Sequence, residues 1–397
     1  MGLLASSHVS SVSDSREAAG ALAKKLREDF SKEPLSTVVV YATVNHDAAT
    51  VLATLTDALG EGVQVLGCSA QGIVAQGVVD EGAYSIGVMG FGGSDLRVAS
   101  SVVREIATDT KKKGQELAAA LLSKLGSPPK VAFLLYDPLC RADVETLLEG
   151  FAARIECPVV GGGASQPWGP MVRTYQYWNR EVLGHGAIAL ALSGPFAAEV
   201  GVCHGTSPTG IEMTLTRADG NKLLEIDGRP ALDIWKEVTG AEDDQIAHQD
   251  YTASWAVGVK PKGVDGTAPQ YVIRAAFGLD LTTGAVIVQA AIPEGTKIMF
   301  HHRTVPAVTR GTIDMGNALA ARLAGRRPWA ALGFECLART QAFLGQAATL
   351  KENLALQSVV APTTPWLGLQ AMGEVAPLGG KPAFHNYTYP LALLVEA

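Results

Sequence analysis

Apolar residues along this chain change period several times. From Ser15 to Phe30 they recur at helical spacing, with Ala19, Leu22, Ala23, Leu26 and Phe30 on one stripe and Ser13, Asp14 and Ser15 as caps. Thr37–Tyr41 is a β-branched run and predicts a strand. Asp47 opens a second helix to Leu59, with Val51, Leu52, Leu55 and Leu59 on one stripe. The short apolar run 63–66 predicts another strand, and it ends in Gly67-Cys68-Ser69-Ala70-Gln71-Gly72-Ile73-Val74. Two glycines there bracket small and polar residues, so the backbone must bend sharply or approach something closely. Strands follow at Tyr84–Phe91 and Val98–Val103, a helix at Thr110–Leu125, a fully apolar strand at Val131–Tyr136, and a helix from Asp143 to Ala153. Pro158-Val159-Val160 leads into Gly161-Gly162-Gly163-Ala164. This alternation indicates an α/β layer structure.

After Gln166 the pattern turns to short strands and turns. Asn179-Arg180 reads as a turn, His185–Leu192 is apolar, and Ala197–His204, Met213–Arg217 and Lys222–Ile226 add strands, an antiparallel sheet closing a first domain and leading into the second. Asp219-Gly220 is a hairpin signal, and Pro230 starts a short helix. Gly240–Asp250 is acidic and polar and reads as the inter-domain segment. The second half repeats the vocabulary: strands at Tyr271–Phe277, Val286–Ala290 and Lys297–Phe300, a helix at Thr312–Leu323, a buried strand at Ala331–Cys336, a helix at Gln341–Leu354, and a final strand over Ala383–Val395. Gly368-Leu369-Gln370-Ala371-Met372-Gly373-Glu374-Val375 repeats the earlier loop; both fit G-x-x-A-x-G-x-V. The expected fold is therefore α/β with α+β character, in two similar mixed-sheet halves that read as an internal duplication.

Composition narrows the function. The 397 residues suggest two domains, and 47% hydrophobic content fills both cores. A net charge of −7 disfavours nucleic acid as a partner, because phosphate binding needs a basic surface. No apolar run reaches membrane-spanning length, so no span is expected. The opening Met1–Ser6 lacks a secretory pattern but matches the short M-G-x-x-x-S acylation motif. Five cysteines, odd in number and without C-x-x-C, suit a reducing cytoplasm.

Candidate chemistry is sparse. Neither glycine loop is a P-loop, and G-x-S-x-G is absent. Cys68 and Cys336 are the cysteines placed at strand ends, Cys336 with Arg339 near it in sequence. Burial would make either an inert thiol. Histidines form no spaced metal motif; His301-His302 would face opposite ways on a strand. His204 and His185, beside glycines, are the candidates for an axial haem ligand, weighed against ordinary hydrogen-bonded histidines.

Taken together, several stretches resemble the FIST family of bacterial sensory domains. They include Gly67–Gly72, Pro158–Ala164, Val202-Cys203-His204-Gly205 and Asp227-Gly228-Arg229-Pro230-Ala231. Phe334-Glu335-Cys336-Leu337-Ala338-Arg339, Gly373-Glu374-Val375 and His385-Asn386-Tyr387-Thr388 continue the match in the same order. The resemblance implies a FIST N-terminal domain over 1–240 and a C-terminal domain over 241–397. It implies small-ligand sensing, amino acids among the ligands, with signalling through a separate partner such as a histidine kinase. Some members of the family are haem proteins responding to nitric oxide, so haem is one alternative and a cysteine-dependent enzyme another. The family has an acidic residue where this chain has Ile73; the later copy keeps Glu374. The expected ligand-binding set is Cys68, Ser69, Gly72, Gly161, Gly162, Gly163, His204, Cys336, Arg339, Glu374 and Asn386, around a pocket between the halves.

Overall fold

The structure is a computed structural model that describes residues 2–167, 171–242, 253–260 and 271–397. One order of elements occurs three times. In the first unit, strand Leu4–Ser10 leads to helix Ser15–Asp29, strand Leu35–Thr43, helix Ala48–Leu59 and strand Gln64–Ala70. A hairpin (Ile73–Ala75, Val78–Asp80) and strand Ile86–Gly92 complete it. The second unit runs Arg97–Val103, Thr110–Leu125, Val131–Tyr136, Val144–Ala152, Val159–Gly163, a hairpin (Gln176–Trp178, Glu181–Leu183) and Ala187–Ser193. The third opens with Phe196–Gly201, is interrupted by an insertion, and resumes with Val305–Leu323, Pro328–Cys336, Gln346–Val360 and Trp366–Ala371. It closes with a hairpin (Glu374–Leu378, Lys381–His385) and Leu391–Glu396.

Local chemistry explains the starts. Asp14, Asp47 and Asp143 each accept backbone N–H groups at a helix N-terminus, from Glu17, from Ala49 and Thr50, and from Glu145. Each unit then has one parallel strand pair spanned by a helix: Leu35–Thr43 with Gln64–Ala70, Val131–Tyr136 with Val159–Gly163, and Pro328–Cys336 with Trp366–Ala371.

The units interlock, because each hairpin completes a neighbour's sheet. Ile73–Ala75 pairs with Trp366–Ala371 of the third unit, Glu374–Leu378 with Val159–Gly163 of the second, and Gln176–Trp178 with Gln64–Ala70 of the first. The mixed α/β class expected from the sequence is present, and so is the internal repetition. It runs to three copies, with Gly161–Ala164 joining the loops at Gly67 and Gly368.

The inner faces of the three sheets share one core, to which Val39, Met89, Phe133, Leu190, Phe334 and Leu394 contribute. Helix pairs cover the outer faces, where Leu22 packs with Leu52 in one cluster and Leu121 with Phe151 in another.

The insertion in the third unit is a closed antiparallel barrel. Lys297–Arg303 pairs with Met213–Asp219, and the ring continues through Lys222–Ile226, Ala285–Val288, Val272–Asp280 and Trp255–Val259 back to Lys297–Arg303. Alternation along Lys297–Arg303 puts Ile298 and Phe300 in the barrel core with Trp235 of helix Ala231–Thr239. His301 and Arg303 point the other way, and His302 is exposed. On that outer side Ala256, Ile273 and Ala275 pack against Cys336 and Tyr387 of the third unit.

Some expectations shift. The opening residues form an edge strand, Leu4–Ser10. Phe196–Gly201, in the sheet expected to close a first domain, pairs with Leu391–Glu396, in the third unit. The echoed loop at Gly368 is itself a strand, Trp366–Ala371. Positions 243–250 of the expected inter-domain segment lie outside the described residues. Among the described residues, no helix is long and apolar enough to cross a membrane.

Candidate functional site

The three glycine loops meet at one place because each ends a central strand of its unit. Three equivalent hydrogen bonds tie them to the next hairpin: Ser69 N–H to Tyr175 O at 2.9 Å, Gly163 N–H to Gly373 O at 2.9 Å, and Gln370 N–H to Gly72 O at 3.1 Å. Cys68 is buried in the shared core. The Ser69 hydroxyl accepts from Tyr175 N–H at 3.0 Å. A Cβ at Gly161 would stand 1.9 Å from the Leu134 carbonyl oxygen, so the parallel strands demand glycine there. Gly162 lies opposite Glu374 in the sheet register. A Cβ at Gly72 would run into the Gln370 side chain. This convergence is backbone-bonded and closed.

The remaining predicted residues gather in the third unit and along its seam with the barrel. Glu374 is fully buried; one carboxyl oxygen accepts from Thr388 N–H (3.1 Å) and its hydroxyl (2.9 Å), and the other has no hydrogen-bond partner. Burial pushes Glu374 up to about 8, and its carboxyl adjoins the Cys336 thiol. Asn386 fastens barrel to unit, accepting from Ala275 N–H at 3.0 Å while its own N–H donates to Ile273 O at 3.2 Å. Arg303 lies between aromatic rings, its guanidinium carbon 3.7 Å from the Tyr387 centroid and 4.1 Å from that of Phe343. It donates to Ala253 O and Ala338 O.

Arg339 has no exposed surface. It donates to the Thr312 hydroxyl at 2.6 Å and to Glu352 at 2.8 Å, with Glu335 at 3.7 Å from its Nε. Asn353 donates to Glu335 at 3.3 Å and accepts from Tyr389 O–H at 2.8 Å. Burial, with Glu352 nearby, pushes Glu335 up to about 8. Glu335, Glu352, Asn353, Tyr389 and Arg303 are absent from the residues expected at the site. The one sequence signal was Glu335, an acid inside an otherwise apolar strand.

The histidines part company. His185 is exposed, with left-handed backbone, and its backbone N–H donates to Asp137. His204 Nδ1 accepts from Thr206 N–H at 3.0 Å. The Thr206 hydroxyl stands 2.9 Å from both His204 Nδ1 and His301 Nδ1. A nitrogen that accepts from an amide carries no proton, so His204 is protonated at Nε2 when neutral. The hydroxyl bridges the two rings, and His301 Nε2 is buried without a hydrogen-bond partner. Burial pulls both rings down to about 4. Among the described residues no group of three or more His, Cys, Asp or Glu side chains is placed to hold a metal ion. The Cys68 and Cys336 thiols are pushed up by burial, the reverse of an activated nucleophile.

Three interlocked α/β units carrying an inserted barrel define the class of this protein. The FIST N domain family matches residues 36–229, and the FIST C domain family matches 231–377. The chain belongs to the FIST family, whose domains are sensory domains of signal transduction. An uncharacterized protein of Mycobacterium tuberculosis is 26% identical over 396 residues, covering 98% of each chain. One of Mycobacterium bovis is 27% identical over 391 residues, covering 96% of each. Among solved structures, a cyanuric acid hydrolase from A. caulinodans aligns over 98% of this chain and 99% of its own, at 9% identity and a TM-score of 0.35. A second cyanuric acid hydrolase aligns over the whole of both chains at 10% identity and a TM-score of 0.37.

Proposed function

We propose that this chain is a cytoplasmic sensor that binds a small molecule at the seam between the barrel and the third unit, and signals through a separate partner such as a histidine kinase. The observation that carries this reading is the concentration of buried polar atoms without partners. Glu374 Oε1, Arg339 Nε and Nη1, Arg303 Nε and His301 Nε2 all belong to this region. Buried polar groups are almost always hydrogen-bonded, so such a cluster points to a guest. Cationic donors and a free carboxyl oxygen suit a zwitterion, which places amino acids first among the ligands. Binding at a seam would couple occupancy to barrel position, because a ligand shifts two states only by its differential affinity for them.

A thermal-shift screen of the full chain against amino acids at millimolar concentration tests the reading. A ligand present at 100 times its dissociation constant adds about 2.7 kcal/mol of stability. The expected result is a raised midpoint with a subset of amino acids and a reduced shift in Glu374→Gln. A flat response across the panel would sink the proposal.

A further inference from the structure

The barrel joins the third unit by two connections, and both line one cleft. The chain leaves the unit through Gly205–Ser207, after strand Phe196–Gly201, and returns at Thr304, before helix Val305–Leu323. In the first two units the same junction is a short loop, 11–14 and 104–109. The two connections run side by side, with Thr206 opposite Arg303 in the sheet register. Gly205 has φ +62°, and a Cβ there would stand 2.4 Å from the Val308 Cα, so the outgoing segment is pressed onto the helix. The cleft between them has a volume of about 410 Å³. Any movement of the barrel against the unit must bend these few residues, which makes the cleft a hinge.

The cleft carries one charge of each sign. Arg310 and Asp314 both line it, about one turn apart on the helix. Opposite charges at that spacing are neighbours and can pair. Here they do not: both are exposed, and among the described residues neither has an ion-pair or hydrogen-bond partner. A lone anion on Arg310 would face Asp314, and a lone cation on Asp314 would face Arg310. A molecule with a carboxylate and an ammonium group on one carbon satisfies both. Thr206 also lines the cleft, and its hydroxyl stands 2.9 Å from a ring nitrogen of both His204 and His301. The cleft thus adjoins His301 and Arg303, two of the buried side chains that hold an unpartnered nitrogen.

We infer that this hinge cleft receives the head group of an α-amino acid, with Arg310 on its carboxylate and Asp314 on its ammonium group. This rests on the small-ligand reading above and assigns its recognition residues. A head group held there touches both connections at once, so its affinity differs between barrel positions and its occupancy selects among them.

Thermal unfolding of the full chain is followed with glycine, glycinamide and N-acetylglycine at equal millimolar concentration and fixed ionic strength. Glycinamide lacks the carboxylate, and N-acetylglycine lacks the ammonium group. The series is repeated on Arg310→Gln, Asp314→Asn and Glu374→Gln. Arg310 and Asp314 are exposed, so their variants are expected to fold. The expected result is a raised midpoint with glycine and little or no rise with either derivative. Arg310→Gln and Asp314→Asn should each need about tenfold more glycine for the same rise, the loss of one charge-assisted contact. If the glycine rise is unchanged in both of these variants but reduced in Glu374→Gln, the inference falls while the sensor reading stands. The same holds if another amino acid raises the midpoint and glycine does not. A rise with glycinamide or with N-acetylglycine equal to that with glycine also overturns it, since a single charge would then suffice. If no amino acid has any effect, both readings fall.

Discussion

Ile73 and Glu374 occupy the same position in two copies of one structural unit. Ile73 lies opposite Leu369 in its sheet, and Glu374 lies opposite Gly162. Gln176, opposite Cys68, is the third member of the set. The facing residues Cys68, Gly162 and Leu369 each follow the first glycine of a G-x-x-A loop, which fixes the equivalence. One position thus carries an aliphatic, an amide and a carboxyl group, all without exposed surface.

Ile73→Glu would put a carboxylate where its copy has one, but without a Thr388 equivalent to bind it. Ile73 packs in the shared core, its Cγ2 directly over Gly87. The expected loss is about 3–5 kcal/mol, the range for an uncompensated buried charge. Urea unfolding measures it; a loss below about 1 kcal/mol, the range of ordinary substitutions, would show that the site tolerates charge.

Arg339 holds two carboxylates. Arg339→Met leaves Glu335 and Glu352 buried without their cation, and the expected cost is about 3–5 kcal/mol. Adding Glu352→Met removes one of the stranded charges and should recover part of that cost. A double-mutant cycle reads the coupling directly. Strict additivity of the two single changes would mean that the 2.8 Å ion pair contributes nothing.

Stability should fall as pH rises across neutrality. Glu374 and Glu335 are each raised by burial from 4.5 to about 8 in the fold. The folded chain therefore keeps protons that the unfolded chain releases. The contribution is full below 4.5 and is lost as pH climbs through about 8. Urea midpoints at a series of pH values test the sign, and Glu374→Gln should flatten the slope. A midpoint that rises over the same window contradicts it.

The hairpin exchange predicts that the two family segments do not fold apart. A fragment of residues 36–229 would keep hairpin Ile73–Asp80 but lose its acceptor strand Trp366–Ala371, and would lack strand Leu4–Ser10. It should show no cooperative transition by calorimetry, whereas the whole chain should. Cooperative unfolding of the fragment would disprove the interdependence.

Alkylation kinetics should sort the cysteines by depth. Cys140 and Cys157 are partly exposed, while Cys68, Cys203 and Cys336 are buried. Only the first two should react in the native state. Rapid labelling of Cys336 would reopen the enzyme reading.

Much of this was legible along the chain. Period alone located the helices at Ser15, Asp47 and Thr110, because an amphipathic stripe needs no distant partner to be recognised. The paired motifs at Gly67 and Gly368 exposed the repetition, and the contrast between Ile73 and Glu374 marked the later copy as the charged one. The swapped hairpins left little trace, since strands of three residues such as Ile73–Ala75 carry too few positions for a period. The helical reading over Gln341–Leu354 said nothing of which side is buried. Only the folded chain shows that Leu350 and Leu354 face outward, that Leu356 and Val360 join an apolar cluster, and that Glu352 and Asn353 meet Arg339 and Glu335. Hydrophobic period reports which side of an element differs from the other. Which side faces inward is decided by what the rest of the molecule places against it.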